Sequence, residues 1–161
     1  MTDQTMDVAG FIEARRQAIL SDAERVLAAR ALEHYRSAGE DATAERLRAL
    51  LDIVVVCCRD HRIEAAIDYA SGLAVARHAE DHRLEEVQTA INTLEESVWR
   101  AFVRDAAPDE LGYGLGLVST VLGTIKDRLA CAYVAQVATR PPSTLRLEHL
   151  FEGFEGDVHP G

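Results

Sequence analysis

Leu111, Leu115, Val118, Leu122, Ile125, Leu129 and Ala132 recur at alternating spacings of four and three. An α-helix turns residues at that spacing onto one face, whereas a strand would scatter them over both. The seam predicts a long helix over Pro108–Ala138 and a neighbour packed nearly parallel to it, at roughly 20°. The same period returns upstream in Leu84, Val87, Ile91, Leu94, Val98 and Ala101, which predicts a helix from Leu84 to Arg104. Asp105-Ala106-Ala107-Pro108 separates the two, since the residue before proline avoids the α region and proline suits a first helical turn.

The rest of the chain follows the same grammar. Leu47, Leu50, Leu51 and the run Ile53–Cys58 predict a helix from Asp41 or Thr43 to Arg59, apolar on most sides in its second half and therefore central. Ile53–Val56 would also suit a short buried strand, but no other segment alternates polar and apolar residues to pair with it. A helix from about Ile63 to Glu80 follows. Upstream, Val8–Leu20 forms a first helix, and Ser21 with Glu24 resembles a capping box opening a second that runs to Arg36. Three of the four prolines lie after residue 140. The expectation is an all-α bundle of about six helices with a long C-terminal helix over residues 1–140. A proline-containing tail over 141–161 would follow, with a short amphipathic segment from Leu145 to Phe154.

Composition removes several classes of function. The chain has 161 residues, enough for one domain with a core of its own. Acids outnumber bases 27 to 17, for a net charge of −10, and Lys126 is the only lysine. Such a field repels phosphate backbones and anionic membranes, so neither nucleic acid nor a membrane is an expected partner. No apolar stretch approaches the ~18–20 residues of a membrane span. The N-terminus lacks a basic start followed by an apolar run, and the three cysteines make no disulfide framework, so the expected compartment is the cytoplasm.

Six histidines carry the best case for a site: His34, His61, His78, His82, His149 and His159. His78 and His82 stand four apart, a spacing that can bring two imidazoles to one metal. His61 belongs to the opposite end of their helix, roughly 25 Å away at 1.5 Å per residue, and cannot join them. His34, His78 and His82 could converge on a metal or haem, or could equally be solvated residues near helix C-termini, where a cation suits the dipole. No histidine has a glutamate three residues before it, so the carboxylate–histidine metal centre of helical bundles is not encoded.

Cys57, Cys58 and Cys131 read as small apolar residues for packing. Gly112-Tyr113-Gly114-Leu115-Gly116 does not follow a strand and lacks the spacing of a phosphate loop. No serine stands in a G-x-S-x-G turn. The acid pairs Glu85-Glu86 and Glu95-Glu96 read as a solvated face, with Glu96 able to pair with Arg100. No catalytic residue and no cofactor is expected. Each glycine within the last helix costs about 0.5–1 kcal/mol against alanine, so Gly112, Gly116 and Gly123 predict close approach of another helix. With Leu115, Leu122 and Leu129 they are the candidate residues of a homodimer interface.

Residues Tyr69–Phe102 carry a resemblance: Ala76-Arg77 at a helix end, a short turn, Leu84-Glu85-Glu86-Val87 opening a helix, and Trp99 further along it. This pattern resembles the N-terminal helical domain of RsbR-type co-antagonists, also found upstream of PucR/CdaR-like regulators. Ala132-Tyr133-Val134 in the last helix is similar to the closing helix of that family, and the likeness extends over about residues 10–140. Asp81-His82-Arg83 replaces the family's usual turn glycine, and about 20 residues follow in place of a STAS or helix-turn-helix effector. The resemblance implies a non-catalytic sensory domain, either stand-alone or part of a longer regulator, with a protein partner in a stress or transcriptional signalling pathway.

Overall fold

A computed structural model describes residues 6–30, 40–80 and 83–139. The described residues form an all-α bundle of six helices: α1 (Val8–Ala14), α2 (Arg16–Arg30), α3 (Glu40–Asp60), α4 (Glu64–Ala79), α5 (Leu84–Asp105) and α6 (Pro108–Thr139). No strand occurs among the described residues. No helix among them is long and apolar enough to cross a membrane. The expected tail over 141–161 lies outside the described residues.

The first break falls at Arg15, not at Ser21-Asp22. Asp7 caps α1, its carboxylate accepting the Gly10 N–H at 2.9 Å. Arg15 then leaves the helical region (φ −116°, ψ 7°), and α2 runs unbroken through Ser21. Two forces explain the shift. Arg15 is drawn sideways, donating to Asp105 at 2.8 Å while its guanidinium lies 3.8 Å above the Phe11 ring. Asp22, beside the expected cap Ser21, accepts from Arg25 at 2.5 Å and from Arg100 at 2.6 Å. Ile19, Leu20, Ala23 and Leu27 stay in register across the capping-box residues and are all buried.

α3 is central, as its apolar circumference predicts, and it packs against each of the other five helices. Leu51 and Val54 are fully shielded from solvent. At its end His61 takes a positive φ of 50° and the Arg62 N–H reaches back to the Cys57 carbonyl at 3.2 Å. That is a Schellman-type close with histidine at the left-handed position usually held by glycine. His61 therefore serves the turn and points to solvent.

α6 lies against α3, α4 and α5. Within its seam Val118, Leu122, Ile125 and Leu129 are fully buried, while Leu111, Leu115 and Ala132 are half-buried at the edges. Each fully buried aliphatic side chain contributes about 1.5–3 kcal/mol of transfer free energy. The short connection at Ala106-Ala107 folds α6 back along α5. Lys126 ties the pair midway, donating to Glu95 at 2.7 Å and to Asn92 at 3.0 Å.

Candidate functional site

Polar chemistry gathers where the first half of α3, the last turns of α4 and the first turns of α5 meet. Arg77 and Arg46 both donate to one oxygen of Glu80, Arg46 at 3.3 Å. The two arginine side chains are 13% and 23% exposed respectively, and Glu80 is 46% exposed. Each arginine continues an apolar row: Leu50, Ile53 and Cys57 lead back to Arg46, and Ala66, Ala70 and Leu73 lead on to Arg77. Their stems therefore lie along the core while the charged heads reach the end of the bundle.

The same two arginines also line a cavity of about 30 Å³ between α3, α4 and α5. Leu47, Leu50, Leu73, Val87 and Ile91 wall it, and Tyr69 stands with Arg46 and Arg77 along its lining. Burial pushes the Tyr69 phenol above its ordinary range, with Arg77 opposing the shift. Tyr133 on α6 is also pushed up by burial, again opposed by Arg77, with Glu86 and Glu80 reinforcing the rise. Arg77 thus lies within electrostatic reach of both phenols.

Of the histidine trio, His34 and His82 lie outside the described residues. His78 sits on α4 with its ring edge-on to Tyr133, the centroids 6.0 Å apart. Among the described residues no group of three or more histidine, cysteine or acidic side chains could hold a metal ion. Glu86 corrects the expectation of a solvated acid pair. It is 4% exposed and accepts from Arg83 at 3.2 Å, because it shares the buried row of Ala90, Thr93 and Ser97 on α5. Glu96 does pair with Arg100, at 3.3 Å.

The cysteines divide. Cys57 and Cys58 are buried, and burial pushes both thiols up, Cys58 to about 12. Cys131 is exposed, contrary to the packing role expected of it, because it falls on the side of α6 away from Leu129 and Tyr133. The thiolate is the reacting form. Ellman's reagent on the native protein should therefore titrate one thiol per chain rapidly, the other two following only as the protein unfolds. Three fast thiols would contradict this placement.

The glycines also divide. A Cβ added at Gly114 would collide with the Phe102 ring, so the close approach within the chain is there. At Gly112, Gly116 and Gly123 an added Cβ meets nothing within 4 Å. Leu122 and Leu129 belong to the chain's own core, and Leu115 is half-buried. What remains outside is a smooth α6 face. Gly112, Gly116, Ser119 and Gly123 share a row with Lys126, at spacings of four, three, four and three. Lys126 faces α5 at Asn92 and Glu95, and Trp99 continues their row, four residues beyond Glu95 and seven beyond Asn92. Trp99 is 43% and Val103 67% exposed. With Glu96, Arg100 and Arg104 they form a shallow, open depression on the surface of α5.

Comparison of the chain with protein-family models, with curated proteins and with solved structures gives no match.

Proposed function

We propose that the chain is a non-catalytic regulatory or sensor domain acting through helix contacts, first of all with a second copy of itself, within stress or transcriptional signalling. The observation that carries this reading is the outer α5–α6 surface. α5 exposes an indole and a valine, and α6 carries glycines at Gly112, Gly116 and Gly123 that another helix can approach closely. Tryptophan is the residue type most often central to binding energy at interfaces. A glycine row weakens its own helix, so small size at solvent-facing positions is best accounted for by a partner at short distance. The likeness of Tyr69–Phe102 to RsbR-type helical domains points the same way. In this reading the cytoplasm is the setting and the partner is protein.

Light scattering at tens of micromolar tests the self-association. The expected mass is twice the 17.7 kDa of one chain. Trp99→Ala and Gly116→Leu should each return it to the single-chain mass without changing helical content. A single-chain mass for the unaltered protein rejects the homodimer.

A second reading, a small-molecule binder, is favoured by the cavity that Arg46 and Arg77 line.

A further inference from the structure

We propose that the cavity between α3, α4 and α5 binds a short-chain monocarboxylate, its carboxylate held by Arg46 and Arg77 in place of Glu80 and its alkyl end among Leu47, Leu73 and Ile91. The mouth is already a carboxylate receptor, because two guanidinium groups from different helices converge on a single carboxylate oxygen. Guanidinium is the cation best shaped for a carboxylate. The present occupant is the chain's own Glu80, at the C-terminal cap of α4 and half open to water. Glu80 is half open to water, so its displaced carboxylate can be hydrated, while the incoming carboxylate keeps both guanidinium groups paired.

What a free ligand adds is a tail. The cavity is apolar on its α3, α4 and α5 walls, and Glu80 is anchored by its backbone at the helix end. A volume of about 30 Å³ accepts about two or three water-sized groups. That sets the class at propionate or butyrate and excludes long fatty acids. Tyr69 at the same lining supplies a phenol, whose hydroxyl is suited to a second carboxylate oxygen. The inference is independent of self-association, since every group it uses comes from one chain.

Titration of the ¹⁵N-labelled full chain with sodium butyrate, followed by amide chemical shifts, tests it, with sodium chloride and 1-butanol as controls. Saturable shifts centred on residues 46, 69, 73 and 77 are expected, with a Kd on the order of 1 mM for so small a ligand. Glu80→Gln, a surface change, should tighten binding about threefold or more by removing the competitor. Arg77→Gln should weaken it about tenfold. Failure of butyrate to saturate in both the unaltered chain and E80Q overturns the proposal. So does butanol binding as well as butyrate, or E80Q binding no tighter than the unaltered chain.

Discussion

Phe102→Ala is expected to lose about 3–5 kcal/mol of folding stability, measured by urea unfolding followed by circular dichroism. Phe102 is fully buried and stacks on Phe11 with ring centroids 4.3 Å apart, joining the short first helix to α5. One edge of its ring lies against Gly114, so closely that no larger residue fits there without a shift. Truncation therefore removes a large apolar side chain, an aromatic pair and the lid over a glycine together. The two positions should be coupled. Gly114→Ala alone costs about 1–3 kcal/mol by overpacking, and most of that cost should vanish in the Phe102→Ala background. A loss below about 1 kcal/mol for Phe102→Ala, or strictly additive effects, would contradict the contact.

Leu122→Ala should cost about 2–5 kcal/mol, and the cost should not depend on protein concentration. Sequence alone could not separate this residue from an interface position, because a heptad seam serves a neighbouring helix of the same chain or of another equally well. In the structure Leu122 is fully enclosed by the chain's own helices. Unfolding at two concentrations a hundredfold apart checks the distinction: the loss relative to the unaltered chain is expected to be the same at both. A loss that grows with concentration would place Leu122 between chains instead. Gly116→Leu makes the contrast, since nothing within the chain lies within 4 Å of a side chain begun there.

Helix periodicity made most of the fold legible. The seam of α6, the run in α3 and the proline start of α6 each constrained one element strongly, and the elements stand where those signals put them. The break between the first two helices is hidden because Ser21 and Glu24 mimic a cap. The true break at Arg15 is caused by a long-range attraction to Asp105, 90 residues away, which no local pattern carries. The burial of Glu86 is hidden for a related reason: adjacent acids suggest a wet face, but a helix turns about 100° per residue, so one of a pair can point inward.

The cavity was the least legible feature. Its signal was present, in two arginines that extend apolar rows on different helices, yet rows from three helices become a site only once their relative placement is known. Cysteine and histidine draw attention by residue type, while Arg46, Arg77 and Tyr69 do not.

The brevity of the link at Ala106-Ala107 has a mechanical consequence. Helices α5 and α6 are clamped together at that base and pinned again midway by Lys126, so they cannot slide past one another by a turn. Any parting of the two is scissor-like, with its pivot at the base and its widest travel at the opposite tips, around Val87 and Tyr133. A small swing at the fulcrum is thereby amplified over the length of the blades.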